Sequence, residues 1–342
     1  MVPKGWEKNS LDSLFEFKNG LNTEKEQYGN GYKFVNVMDV FRNDILTESK
    51  IIGRVQVTDK QLEGYQLKYG DVLFNRTSET FDEIAIAAIY LDNAIATFGG
   101  FVIRARPKGN QIDPAYSVFL FQSKSYRSQV VKLGQGAIRA NIGQKDLARV
   151  CILVPPLAEQ KKIAQILSTW DKAISVTEKL LTNSQQQKKA LMQQLLTGKK
   201  RLLDENGVRF SGEWEYTIFG NLGDTYTGLT GKTKEDFGAG KPYIPYINIF
   251  KNSRIDIQNL EYVQVNDDER QSVVKYGDIF FTTSSETPEE VGMSSVLLEE
   301  VSEVFLNSFC FGFRLNNFET LIPKYARHLF RSEHVRRQIS TL

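Results

Sequence analysis

The sequence predicts an α+β protein in which two similar mixed α/β domains are joined by a long helix that forms a coiled coil. Three observations carry this prediction. A heptad pattern occupies the middle of the chain, the two halves repeat each other, and each half contains short strand-like runs separated by turns. The predicted segments are a first domain at residues 1–154, a spacer helix at 155–200 and a second domain at 201–342.

The helix is predicted from apolar residues, and a few polar residues that a coiled-coil seam can tolerate, whose spacing alternates between four and three as in such a seam. Pro155 and Pro156 precede it and Gly198 follows it, residues that are typical of helix starts and ends. Forty residues would give a rod of roughly 60 Å. A connector packed on its own domains is the alternative, but five heptads in register favour a partner helix. The seam consists of Ile163, Leu167, Trp170, Ile174, Thr177, Leu181, Ser184, Lys188, Leu191 and Leu195.

The duplication is predicted from ordered matches at an offset of 207 to 212 residues. Matches at such a long period indicate a duplicated domain and not a solenoid. The second copy ends at Leu342, opposite Leu133, so we expect it to lack the equivalents of the first copy's last loop, last strand and helix. The matched segments are 5–7 with 213–215, 35–37 with 247–249, 69–72 with 276–279, 78–80 with 285–287, Phe101 and Arg106 with Phe309 and Arg314, 114–116 with 323–325, and 120–121 with 329–330.

Within the first copy, strands are predicted at residues 32–40, 71–74, 84–90, 101–106 and 150–154, and a helix at 116–133. Alternating apolar residues and Gly-rich turns indicate a mostly antiparallel or irregular sheet.

Composition excludes several classes of protein. No run of 18 apolar residues is present and residues 1–12 contain no apolar signal region, so we expect neither a membrane span nor secretion. Cys151 and Cys310 are expected to be buried thiols in the reducing cytoplasm, and the two histidines have no metal-type spacing. Residues 228–233 do not have the glycine spacing of a phosphate-binding loop, so no nucleotide-binding motif is predicted. The sequence also contains no recognisable catalytic arrangement.

The motif Pro155-Pro156-Leu157-x-Glu159-Gln160-x-x-Ile163, a long helix ending Leu195-Leu196-Thr197-Gly198, and a second similar domain together resemble the specificity subunit of a type I restriction–modification system. The Gly-Asp pairs at Gly70-Asp71 and Gly277-Asp278 also fit the target-recognition domains of that family. The resemblance covers nearly the whole chain and departs at the C-terminus, where a second helix is usual.

The resemblance implies that each domain reads one half of a split site on double-stranded DNA and that the helix sets the gap between the halves. It implies modification subunits that carry S-adenosylmethionine and methylate adenine, and a restriction subunit that uses ATP and Mg²⁺. This chain would then bind no cofactor or metal and perform no catalysis.

Loop residues with amide, hydroxyl or guanidinium groups suit base recognition, whereas lysines and arginines elsewhere suit phosphate contacts. The base-reading candidates are Asn75, Arg76, Thr77, Ser78, Gln135, Arg139 and Asn141 in the first copy, and Thr282, Thr283, Ser284 and Ser285 in the second. The phosphate candidates are Lys18, Lys33, Arg42, Lys232, Lys234 and Lys251.

Two further expectations remain open at this stage. The alternative to a DNA-recognition subunit is a coiled-coil adaptor whose duplicated domains bind protein or glycan ligands. The helix pairs antiparallel with a second copy of the chain unless modification subunits cover it, through Ile163, Leu167, Trp170, Ile174, Leu181, Leu191 and Leu195.

Overall fold

A computed structural model describes residues 2–136 and 138–341. The chain divides into two compact units, Met1–Glu178 and Lys179–Leu342, and the division falls inside the central helix. The three-segment boundaries predicted above stay a prediction, because this division assigns half of the helix to each unit.

The first unit is a mixed α+β domain. Its strands are β1 (Glu7–Ser10), β2 (Phe15–Asn19), β3 (Tyr28–Val35), β4 (Ile45–Leu46), β5 (Arg54–Val55), β6 (Val72–Asn75), β7 (Thr77–Ser78), β8 (Ala87–Tyr90), β9 (Ala96–Phe98), β10 (Val102–Pro107), β11 (Ala140–Asn141) and β12 (Cys151–Val154). Its helices are α1 (Leu11–Leu14), α2 (Val37–Arg42), α3 (Asp59–Tyr65), α4 (Pro114–Leu120), α5 (Lys124–Leu133), α6 (Gln144–Ala148) and the first half of α7 (Leu157–Leu195).

The main sheet of this unit has the order β2-β10-β6-β8-β4 and is antiparallel except for the parallel pair β4–β8. A second sheet, β5-β3-β9, contains one antiparallel and one parallel pair. The helices α4 and α5 cover one face of the main sheet, where Phe74, Phe121 and Tyr126 form edge-on or tilted ring contacts. The Tyr126 hydroxyl donates to the Ala85 carbonyl at 2.9 Å, so this buried polar group is satisfied within the apolar core.

The second unit repeats this plan in shorter form. Its main sheet, β13-β19-β16-β17, is antiparallel, and β14 lies between antiparallel β15 and parallel β18. The strands are β13 (Gly223–Thr227), β14 (Phe237–Ile244), β15 (Glu261–Val263), β16 (Ile279–Thr282), β17 (Ser294–Val296), β18 (Phe305–Leu306) and β19 (Cys310–Leu315). The helices are the second half of α7, α8 (Tyr246–Lys251), α9 (Pro323–Leu329) and α10 (Glu333–Ser340).

Three predicted elements are wrong in extent. The strand predicted at residues 84–90 begins only at Ala87, because Ala85 has a φ angle of 52°, outside the extended region. The strand predicted at residues 32–40 ends at Val35, because the Asn36 backbone N–H bonds to the Asp39 carboxylate at 2.8 Å and α2 starts at once. The helix predicted at 116–133 is two helices, because Ser123 accepts from the Tyr126 backbone N–H and starts α5 as a new helix. Cys310 is buried as expected, but Cys151 is half-buried in β12, which pairs only with β1.

The internal duplication is visible in the structure, with one of the proposed matches corrected. The strand and helix β3–α2 correspond to β14–α8, which places Asn36 opposite Pro245 and Val37 opposite Tyr246, an offset of 209. The match of residues 35–37 with 247–249 was therefore wrong by three positions. A similar Ile-Asn-Ile string recurs in the first turn of α8, and the sequence alone did not show where the preceding strand ended.

The opening motif of α7 fixes the helix to the first unit. Gln160 is fully buried, and its amide accepts from the Asp113 backbone N–H and donates to the carbonyls of Gln111 and Pro155, each at 2.8 Å. The Trp6 indole N–H donates to Glu159 at 3.2 Å. These bonds satisfy groups that would otherwise be costly to bury, so the motif has a structural role at the helix start.

The apolar seam of α7 is largely exposed. The exposed fractions are 38% for Leu167, 66% for Trp170, 56% for Ile174, 59% for Leu181 and 46% for Leu191. Ile163 packs against the core of the first unit and Leu195 is half-buried, so the two ends of the seam are less available for pairing than predicted. Ile166 and Leu180 are 48% and 60% exposed and lie beside the seam, which makes the apolar stripe wider than the one predicted.

Among residues 2–136 and 138–341, no helix combines the length and the apolar character that a membrane crossing needs.

Candidate nucleic-acid interface

The Gly-Asp motif precedes the central strand of each main sheet, β6 or β16. Its aspartate forms an ion pair with an arginine of the neighbouring strand, and this pair is called the latch of its unit. In the first unit, Arg106 binds the buried Asp71 carboxylate through Nε at 2.8 Å and Nη2 at 2.6 Å. Arg314 and Asp278 form the same pair at the same two distances in the second unit. Bidentate arginine–carboxylate pairs are strong and geometrically specific, so each latch holds the start of its sheet in one arrangement.

The glycine in each motif is required by the backbone. Gly70 and Gly277 have φ angles of 87° and 86°, a region that other residues adopt only with strain. This turn lets the Lys68 and Lys275 backbone N–H groups donate to the Asp71 and Asp278 carboxylates at 2.7 and 2.8 Å. The motif therefore stabilises the start of the central strand in each unit.

The two latches differ in one neighbour. In the second unit Tyr226 donates its hydroxyl to Asp278 at 2.5 Å, and burial, reinforced by the Asp278 charge, raises the pKa of Tyr226 far above its ordinary value. The hydrogen bond to Asp278 raises the pKa of Arg314. Both groups stay protonated at neutral pH, so this latch is fixed under ordinary conditions.

The opposite end of the sheet brings together the two loops that were predicted to read DNA in the first unit. Strand β7 pairs with β11, placing Ser78 opposite Ala140 and Thr77 opposite Asn141. The Ile142 backbone N–H donates to the Arg76 carbonyl at 3.0 Å. Loops more than fifty residues apart in the sequence thus form one surface at the end of β6. Part of the second loop, Ala137, lies outside the described residues.

Four of the base-reading candidates in this unit are exposed on that surface, and the other three are not. Gln135, Arg139 and Asn141 are exposed beside Arg76, and Thr77 is half-buried. Asn75 is fully buried and its amide donates to the Thr77 and Glu83 carbonyls at 3.1 and 3.0 Å, so its assignment as a base contact was wrong. Ser78 is also buried and donates to Glu83 at 3.2 Å, so it too is a structural residue.

The equivalent surface of the second unit is built on the loop after β16. Thr283 and Ser284 are exposed, and Ser285 is half-buried and donates to the Thr287 carbonyl at 2.6 Å. Thr282 is buried and accepts from the Met293 backbone N–H at 3.0 Å, which removes it from the candidates. The Tyr246 hydroxyl donates to the Ser284 carbonyl at 2.8 Å and adds an aromatic residue that the sequence analysis missed.

The six predicted phosphate contacts divide into two groups. Lys18 donates to the Gly64 carbonyl at 2.8 Å, Lys33 donates to the Ile51 carbonyl at 2.7 Å, and Lys232 pairs with Glu269 at 2.5 Å with only 6% of its side chain exposed. Lys232 is therefore used within its own domain and its assignment was wrong, whereas Lys18 and Lys33 are half-buried and stay predictions. Arg42, Lys234 and Lys251 are exposed, and Arg42 and Lys251 occupy the same position in the last turns of α2 and α8.

Within the part of the chain that the structure describes, no three His, Cys, Asp or Glu side chains come together as a metal site would require. An open cleft of about 610 Å³ lies at the start of β6, lined by Tyr69, Asp71, Arg106, Leu157 and Lys161, and its charged pair is the latch. The two units therefore share one fold, and each exposes polar side chains where its central strand, β6 or β16, ends.

The chain belongs to the family described as the type I restriction modification DNA specificity domain, whose model matches residues 3–183. It is 24% identical over 311 residues to the type I restriction enzyme EcoKI specificity subunit of Escherichia coli K12, covering 86% of this chain and 65% of that protein. It is 25% identical over 210 residues to the MjaVIII specificity subunit of Methanocaldococcus jannaschii, covering 60% of this chain and 48% of that protein.

The fold is similar to that of a solved type I restriction–modification system S subunit from M. genitalium, with a TM-score of 0.50 and 15% identity, covering 99% of this chain and 80% of that one. The chain spans less than two thirds of the length of the two curated relatives described above.

Proposed function

We propose that this chain is the sequence-specific DNA-recognition subunit of a type I restriction–modification complex. The observation that carries the proposal is the surface at the end of β6, where β7–β11 pairing gathers Arg76, Arg139 and Asn141 from two distant loops. Guanidinium and amide groups form the bidentate bonds that distinguish bases in the major groove. Family membership supports the same role.

The second unit presents a different set of groups at the equivalent place, namely the hydroxyls of Thr283 and Ser284 and the half-exposed Tyr246. Two readers with one scaffold and different loop chemistry suit a site made of two unlike half-sites. Arg42 and Lys251, at equivalent positions, suit phosphate contacts that orient each reader.

The central helix is proposed as the spacer and the docking site for partner subunits. Its 39 residues correspond to about 58 Å. Ile166 and Leu180 each add a third position to one heptad of the seam, so the apolar stripe is locally wider than the two positions per heptad that a two-stranded coiled coil needs. Modification subunits are the proposed partners, with a restriction subunit joining the assembly.

In this proposal the chain performs no catalysis. S-adenosylmethionine, ATP and Mg²⁺ would be bound by the partner subunits, and the complex would act in the cytoplasm. The free thiols Cys151 and Cys310 fit a reducing compartment. A coiled-coil adaptor that binds protein or glycan is the other candidate, but no structural observation favours it.

The test is a chimaera in a reconstituted complex. Residues 1–150 are replaced by the corresponding region of a relative with a different known site, and the methylated sequence is read by methylome sequencing. We expect one half-site to change while the other half-site and the gap persist. Loss of both half-sites, or binding to DNA that is neither sequence-specific nor salt-sensitive in the presence of modification subunits, would contradict the proposal.

A further inference from the structure

Phe101 and Phe309 are exposed aromatic residues at equivalent positions in the two units. Each stands immediately before the strand beside the central one, β10 or β19, and they are 65% and 63% exposed. A single exposed aromatic residue is ordinary on a protein surface. Here the same residue is equally exposed at the same turn of both copies, although the neighbouring loops differ. This repetition indicates a function that both copies share.

The turn that carries each ring is held rigidly. The Val102 backbone N–H donates to the Gly99 carbonyl at 2.9 Å, and the Cys310 backbone N–H donates to the Asn307 carbonyl at 3.1 Å. A Cβ atom at Gly20 would lie 1.9 Å from the Gly99 oxygen, and one at Gly228 would lie 2.0 Å from the Asn307 oxygen. Both turns are therefore packed tightly against a glycine of the neighbouring chain segment, so the backbone that carries each ring is held in place.

Each phenylalanine is also bonded directly to the loop that is proposed to read DNA. The Phe101 carbonyl accepts from the Arg76 backbone N–H at 2.9 Å. The Phe309 carbonyl accepts from the Thr283 backbone N–H at 3.0 Å and from the Thr283 hydroxyl at 2.9 Å. In both units, an exposed ring thus adjoins the first residue after the central strand, where the hydrogen-bonding candidates begin.

We infer that Phe101 and Phe309 are the apolar base contacts of the two recognition surfaces, each ring packing against the 5-methyl group of a thymine in the major groove. This inference rests on the proposed function. The thymine methyl is the apolar group on the base edges of that groove, and phenylalanine is among the side chains that contact it. Arg76 and Thr283 then supply the neighbouring polar contacts, so each surface reads a methyl group and a hydrogen-bonding pattern side by side.

The test uses the complex reconstituted with its modification subunits and a duplex that carries its methylome-defined site. In two further duplexes, deoxyuridine, which lacks the methyl group, replaces thymine in one half-site or the other. We expect each replacement to weaken wild-type binding about fourfold, the equivalent of one buried methyl group. Phe101→Ala should abolish that penalty in one half-site only, and Phe309→Ala should abolish it in the other.

Tyr69→Ala is the matched control, because Tyr69 is 56% exposed and lies before β6, at the end of the strand opposite Arg76. It should retain both uracil penalties. Urea unfolding of each variant checks the fold, and Phe101→Gln and Phe309→Gln, which keep side-chain bulk but end in a polar group, replace any alanine variant that unfolds.

Three results would overturn the inference while leaving the proposed function intact. These are a half-site without thymine, uracil penalties that persist in the phenylalanine variants, and a loss of affinity that is the same on thymine and uracil duplexes, as for a ring stacked on an unstacked base. Absence of specific binding by the wild-type complex would instead overturn the proposed function.

Discussion

The exposed stripe of the central helix predicts that the isolated chain self-associates. The perturbation is the double substitution Leu167→Glu and Ile174→Glu, which places two carboxylates in the seam. Burial of carboxylates without partners is strongly unfavourable, so pairing through this face should be lost. The physical reason for pairing is that apolar side chains on one face of α7 remain in water when the chain is alone.

The magnitude follows from the exposed fractions. Leu167, Trp170, Ile174, Leu181 and Leu191, with Ile166 and Leu180, together expose the equivalent of three to four whole side chains. At ~1.5–3 kcal/mol for each buried side chain, two helices gain about 11–22 kcal/mol. Association costs about 4–15 kcal/mol, so the middle of both ranges leaves roughly 7 kcal/mol and a Kd on the order of ten micromolar.

Sedimentation velocity from about 1 to about 200 µM covers this range. The control is Gln165→Glu with Thr169→Glu, which adds the same two negative charges to exposed positions on the opposite face of the helix. We expect the wild type and the control to dimerise and the seam variant to stay monomeric. A wild type that is monomeric throughout, with all three proteins equally soluble and stable, would refute the reasoning.

The remaining predictions concern DNA contacts and stability. Arg76→Ala should weaken cognate binding by ~1–3 kcal/mol with little effect on random duplex, as measured by fluorescence anisotropy, and an equal loss on both would indicate a phosphate contact. Lys232→Ala should leave the salt dependence of DNA binding unchanged because Lys232 is paired with Glu269, whereas Lys251→Ala should make it shallower by about one. Hydrogen bonds from Lys232 and Gln271 lower the pKa of Glu269 to about 2 from 4.5, so its stabilisation is complete above pH 4.5 and lost as the pH falls towards 2. Urea unfolding between these pH values should show a steeper loss for the wild type than for Glu269→Gln, and parallel curves would contradict the assignment. Asp71→Asn should destabilise the first unit by ~2–4 kcal/mol, below the range for fully buried pairs because 23% of Arg106 is exposed, and hydrogen exchange should report the loss in that unit alone.

The sequence by itself determined the features that repeat along the chain. The heptad spacing predicted a helix that the structure places at Leu157–Leu195, and the nearly constant offsets predicted two copies of one α+β plan. These predictions succeeded because helical periodicity and duplication are properties of residue spacing, which can be read without knowing what lies next to each residue in space.

Only the tertiary structure decided which polar residues are available to bind DNA. The residue types of Asn75, Lys18 and Lys33 are ones that commonly contact DNA. Their side chains, however, bond to the carbonyls of Glu83, Gly64 and Ile51, which lie 8 to 46 positions away. The sequence does not reveal which distant carbonyl or carboxylate a polar group will meet when the chain packs.

The exposed surface at the end of β6 has the same origin. Arg76 and Asn141 become neighbours because β7 pairs with β11, and Phe101 joins them because β10 lies beside β6. Strand pairing between remote segments is set by burial of the whole core and by turn geometry, not by the residues of one loop. The sequence therefore identified the kind of protein, and the packing of its sheets decided which side chains face the DNA in the proposed complex.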